Sequence, residues 1–131
     1  MPRAQVTFDT VREIGVALPG VQESTTYGAL ALRAGGQLLA CKAINKSAEP
    51  DSLMVRLDFE QRDALLTEAP QTYYLTDHYR NYPVVLVRLP RVAPDALRDL
   101  LHAAWHFVTS QAKKPRKGSA RRPAKRRYQA R

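Results

Sequence analysis

Cysteine occurs once in these 131 residues, tryptophan once and glycine six times, and each scarcity excludes something. Cys41 alone cannot form an internal disulfide or a cysteine-rich zinc module, and it suits a reducing compartment. The glycines never fall into a phosphate-binding pattern, because Gly35-Gly36 matches neither the dinucleotide fingerprint nor the P-loop. No G-x-S-x-G nucleophile elbow is present. No apolar run approaches the roughly 18 residues of a membrane-spanning helix, and Met1 to Asp9 lacks the apolar stretch of a secretory signal. The expectation is a cytoplasmic, soluble, single-domain protein that is not an enzyme and carries no cofactor or metal.

The sharpest absence is that of acid at the C-terminal end. Through Ser110 there are 11 basic and 12 acidic residues, a net of −1. From Gln111 to Arg131 there are 10 basic residues and no acidic one: Lys113, Lys114, Arg116, Lys117, Arg121, Arg122, Lys125, Arg126, Arg127 and Arg131. The chain's formal charge of +9 therefore resides on its end. Pro115, Gly118 and Pro123, with little apolar beyond alanine and Tyr128, cannot offset the entropy of ordering such a segment. Two regions are expected, a domain over 1–110 and a disordered Lys/Arg-rich tail over 111–131 that invites a polyanion.

Within the domain, Phe8, Val11, Ile14, Gly15 and Leu18 recur at helical spacing, with Thr7 or Asp9 able to cap the start and Pro19-Gly20 ending the run. Thr26–Arg33, Gln37–Ile44 and Ser52–Leu57 read as strands, the first two joined by a tight turn at Gly35-Gly36. Asp58 with Gln61 has the spacing of a capping box and opens a second helix that Pro70 stops. Tyr73–Leu75 and Val84–Leu89 are two more strands around the polar loop Thr76–Pro83. Pro94 leads a last helix bearing Leu97, Leu100, Leu101, Ala104, Trp105 and Val108. Clustered rather than alternating strands predict an α+β fold, an antiparallel sheet with helices on one face in the order αβββαββα.

Alternation along strands sharpens this. It places Arg33, Lys42, Arg56 and Arg88 on the less apolar faces of four strands that contain no Asp or Glu. With helices over the other face, the open side would be a basic wall suited to phosphates. The same pattern also fits cations that merely tolerate exposed strand positions. The loop Tyr73 to Pro83 interleaves His78, Tyr79, Arg80 and Tyr82, which could stack on bases or, equally, anchor the loop on the sheet through Asp77 and His78. His102 and His106 have a chelating spacing but lack the catalytic Glu of a zincin, so they read as solvent-facing. Cys41 reads as a small hydrophobe.

Leu18-Pro19-Gly20, Thr26-Tyr27-Gly28, Ala31-Leu32-Arg33, His78-Tyr79-Arg80-Asn81-Tyr82-Pro83 before Val85-Leu86-Val87, and Leu97-Arg98-Asp99-Leu100-Leu101 with Ala104-Trp105 resemble the MmcQ/YjbR family. The resemblance covers nearly all of Phe8 to Val108. It implies a YjbR-like, secretion-chaperone-like two-layer fold and DNA binding of the double-wing type, and it says nothing of the tail. The function expected is low-specificity DNA binding, with RNA as an alternative polyanion and a monomer or weak homodimer as the species. Phosphate contacts would come from Arg33, Lys42, Arg56 and Arg88, the loop residues His78, Tyr79, Arg80 and Tyr82, and the tail cations from Lys113 to Arg127. The alternatives are a protein-interaction adaptor, or a small-molecule-binding protein centred on His78, Tyr79 and Arg80.

Overall fold

The computed structural model describes residues 6–26 and 28–113. Helix α1 (Phe8–Val16) begins at Thr7, whose backbone N–H donates to Thr10 Oγ1 at 3.2 Å. Strands β1 (Val21–Thr26), β2 (Ala29–Ala34), β3 (Gln37–Lys42) and β4 (Ser52–Arg56) follow. Helix α2 (Phe59–Glu68) is capped as its sequence implies, for Asp58 accepts from the Gln61 backbone and side chain at 2.8 Å each. Strands β5 (Tyr73–Tyr74) and β6 (Val84–Arg88) precede a short 3-10 turn and the long helix α3 (Pro94–Lys113). The sheet is antiparallel throughout, in the spatial order β1-β2-β3-β4-β6-β5.

The α+β architecture is as expected, with one strand more. The segment expected to start at Thr26 is the second arm of a hairpin whose first arm, Val21–Thr26, pairs with it along its whole length. Val-Gln-Glu-Ser-Thr-Thr carries no apolar alternation because β1 is an edge strand held by backbone bonds, with Val21 buried in the core. At the next turn, Gly35 and Gly36 both take positive φ, 59° and 79°, as a two-residue hairpin loop demands.

All three helices cover the same face. Leu32, Leu53, Val55, Val85 and Val87 from the sheet share one core with Val11 of α1 and Leu97, Leu100, Leu101, Ala104 and Val108 of α3, and Leu65 and Leu66 of α2 pack against it. At Gly15 helix α1 lies against the sheet so closely that a Cβ would run into Leu32 Cδ1. The indole of Trp105 donates to the Pro19 carbonyl at 2.8 Å and ties α3 to the turn after α1.

A bulge alters the expected strand parity. Leu32 pairs with Ala40, but Arg33 pairs with Leu38, so Leu39 stands without a partner. Leu39 and Ala40 both join the helix-side core, and every residue after them changes face. Cys41 then pairs with Met54, and Lys42 with the buried Leu53.

Candidate functional site

The other face of the sheet is not open at its β4–β6 side. Tyr79, only 8% exposed, drops from the loop between β5 and β6 onto Val84 and Leu86, with Ala43, Ala48, Met54, Tyr74 and Leu75 around it. Burial pushes its phenol pKa up. The loop is built from short turns, with Tyr79 N–H donating to the Thr76 carbonyl at 3.0 Å and Tyr82 N–H to the Tyr79 carbonyl at 3.1 Å. Arg62 of α2, 8% exposed, holds it from beneath through Nη1, which donates to the carbonyls of Arg80 at 2.9 Å and Tyr82 at 3.1 Å. Arg80 forms an exposed ion pair with Asp77 at 2.9 Å, while His78 lies edge-on against the Tyr79 ring. Of the four loop residues expected at a phosphate or base, His78, Arg80 and Tyr82 face solvent, Tyr82 at 60% exposure; Tyr79 serves as the loop's anchor.

The expected basic wall loses Lys42, and ion pairing and burial temper part of what remains. The bulge puts Lys42 on the helix side, its ammonium 5.4 Å from the centre of the Phe8 ring. Arg56 is half-buried, donates to the Leu38 carbonyl at 3.4 Å and lies 5.6 Å from the ring centre of Phe107 on α3, and burial lowers its pKa. Arg88 is neutralised by a residue distant in sequence, donating from Nε and Nη2 to the two carboxylate oxygens of Glu49 at 2.8 Å each. Its remaining nitrogen reaches the carbonyls of Pro70 and Gln71 at 3.0 and 3.1 Å, and its guanidinium stacks 4.3 Å from the Tyr74 ring centre. Glu49 is correspondingly held below its ordinary pKa, first by that hydrogen bond. Arg33 does lie on the side away from the helices, paired with Leu38 and Gln22, where its charge acts on Cys41. All four thus have partners within the protein, and the sheet separates Lys42 from Arg33 and Arg88.

The tail cations Lys114, Arg116, Lys117, Arg121, Arg122, Lys125, Arg126, Arg127 and Arg131 lie outside the described residues. Lys113 ends α3, so the last helix runs three residues beyond the expected domain boundary. Among the described residues no cluster of three or more potential metal ligands occurs, and none of the helices is long and apolar enough to cross a membrane. His102 and His106 are exposed, with ring centres 5.9 Å apart. Cys41 is partly buried, and burial raises its thiol pKa against the opposing pull of Arg33, which fits an unreactive side chain.

Of the clefts among the described residues two stand out, and neither is lined by His78, Tyr79 or Arg80. One of about 480 Å³ surrounds the Arg88–Glu49 pair between Pro50, Pro70 and Pro90. The other, about 360 Å³, separates α2 from α3 and is floored by Leu57, Leu65, Leu100 and Tyr73, with Gln61 and Asp99 at its rim. Sequence reasoning did not find it; the signal was the small residues Ala64, Ala96 and Ala103 on the facing sides of two helices.

Three uncharacterised mycobacterial proteins, Rv2570 and MT2646 of Mycobacterium tuberculosis and Mb2600 of Mycobacterium bovis, are each 33% identical to this chain over 113 residues. The alignment covers 76% of this chain and 85% of each of theirs. The chain belongs to their family. No family model matches its sequence. Its fold is that of the Deinococcus radiodurans protein DR2400, which carries a DUF419 domain of the YjbR/MmcQ-like fold. The two superpose with a TM-score of 0.70 at 22% identity, covering 87% of this chain and 86% of the other.

Proposed function

We propose that this protein is a cytoplasmic, non-catalytic member of the MmcQ/YjbR group that binds DNA with little sequence preference, and that the segment 111–131 supplies most of the grip. The observation that carries this reading is the division of charge. Ten cations without a single acid follow Ser110, whereas the preceding residues sum to −1. Within the folded part, Arg12, Arg62, Arg80, Arg88 and Arg98 each form an ion pair with a carboxylate. A polyanion therefore meets uncompensated positive charge chiefly at one end of the chain, and the exposed Arg80 and Tyr82 of the loop are auxiliary contacts. Affinity of this kind comes from releasing counterions from phosphates, so it follows salt rather than base sequence.

The test is fluorescence-anisotropy titration of labelled duplex DNA, single-stranded DNA and RNA across a salt series, with the full chain and a chain ending at Lys113. Neutralising five to ten phosphates gives a slope of log affinity against log salt of about −4.5 to −9 on duplex. The shortened chain is expected to lose nearly all binding, and Arg80→Ala with Tyr82→Ala to lose little. Equal binding by the shortened chain would move the site onto the folded part. Failure of the full chain at low salt would remove nucleic acid as the partner.

A further inference from the structure

The cleft between α2 and α3 has a chemistry of its own, independent of the cationic segment. Its walls are Leu57, Leu65 and Leu100, and the three alanines leave the space open. A volume of about 360 Å³ lies at the lower end of the range of small-molecule sites, roughly 300–1,000 Å³. Tyr73 is 6% exposed, and its hydroxyl makes no hydrogen bond among the described residues. Buried phenols ordinarily find a partner. Burial, and secondarily the negative charge of Asp99, push this phenol's pKa up, which sets the hydroxyl within the field of the rim carboxylate. Among the described residues Asp99 carries no ion pair, and the adjacent Arg98 is paired with Asp95 at 2.9 Å. Gln61 commits its amide nitrogen to Asp58 at 2.8 Å and keeps Oε1 as an acceptor.

Three acceptors, one of them charged, thus border an apolar hollow whose lining contains no Lys, Arg or His. We propose that this cleft binds a small apolar primary amine, its ammonium donating to Asp99, the Tyr73 hydroxyl and Gln61 Oε1, and its hydrocarbon part lying on Leu57, Leu65 and Leu100. A primary ammonium carries three donors and matches the set in number and sign. A carboxylate of the same shape would meet Asp99 with like charge.

The experiment is a titration of the full-length protein, followed by amide NMR and calorimetry, with n-hexylamine, 2-phenylethylamine and tryptamine against hexanoate, phenylacetate and indoleacetate. At least one amine is expected to give saturable shifts confined to residues 57–65, 73 and 96–103, and the matching acid none. Asp99→Asn should weaken that amine about tenfold, as loss of a charge-assisted hydrogen bond does. Tyr73→Phe should weaken it about threefold, the scale of a neutral one. Asp99 is exposed, so its variant is expected to keep the spectrum of the rest of the protein. Absence of saturation by all three amines, equal binding of the acids, or an Asp99→Asn protein that binds as well as the parent would each overturn the proposal.

Discussion

On the helix side of the sheet, Leu53, Val55, Val85 and Val87 meet leucines of α3 through two regular surfaces. On the opposite side Val84 and Leu86 meet Tyr79, delivered by a loop whose backbone bonds mostly to itself. The first arrangement satisfies its polar groups within secondary structure and gains from area alone. The second seals a smaller apolar patch with a segment that Arg62 ties down by donating to two of its carbonyls, of which that of Arg80 has no other donor among the described residues. The same sheet is therefore rigidly roofed on one side and latched on the other, and the latch carries the exposed His78, Arg80 and Tyr82. Substitutions on the two sides should separate in size and in what they loosen.

The largest effect is expected on the helix side. Leu101→Ala, at a fully buried position, should cost about 3–5 kcal/mol by urea unfolding, whereas Leu86→Ala beneath the loop should cost about 2–3, since a loop can settle into the vacated space. Equal costs would mean that the loop is as unyielding as α3. Next in size, Tyr79→Ala should cost about 3 kcal/mol and speed hydrogen exchange over residues 76–83 before the rest of the sheet.

Arg62→Met tests the latch itself. The Arg80 carbonyl loses its donor and the Tyr82 carbonyl keeps only the Val84 N–H, at about 1–3 kcal/mol. Methionine keeps the buried aliphatic length, so the loss should appear as faster exchange at 77–83 while the amides of α3 stay protected. Uniform loosening of both faces would show that Arg62 supports the whole fold rather than the loop.

How far the sequence foretold this differs between the faces for physical reasons. The helix side was legible because Leu97, Leu100, Leu101, Ala104 and Val108 repeat with the helix, and because Asp58 with Gln61 marks a start. β1 was not, since an edge strand needs no apolar alternation to be paired. The run Leu38-Leu39-Ala40 is apolar throughout and gives no sign of a bulge, yet that one unpaired residue carries Lys42 to the other side. Nor does local spacing reveal that Glu49 waits for Arg88, 39 residues onward. The cleft between α2 and α3 exists only once two helices are docked, and its alanines alone look like ordinary helix formers.

The smallest effect belongs to the ion pair that cancels one of the expected sheet cations. Arg88 holds the Glu49 carboxyl below its ordinary value of 4.5. A carboxyl with a depressed folded pKa contributes stability at pH above its unfolded value, and the contribution disappears as pH falls through the folded value. Glu49→Gln should therefore lower stability at pH 7 by about 0.5–1 kcal/mol, the scale of a half-exposed pair. Thermal melts of parent and variant should converge once the pH passes well below 4.5. A difference that persists in acid would place the role of Glu49 in packing rather than charge. A variant that at the same time gained DNA affinity would show that the folded part had been withholding Arg88 from phosphates, and that the neutrality of this region is maintained by pairs that can be opened.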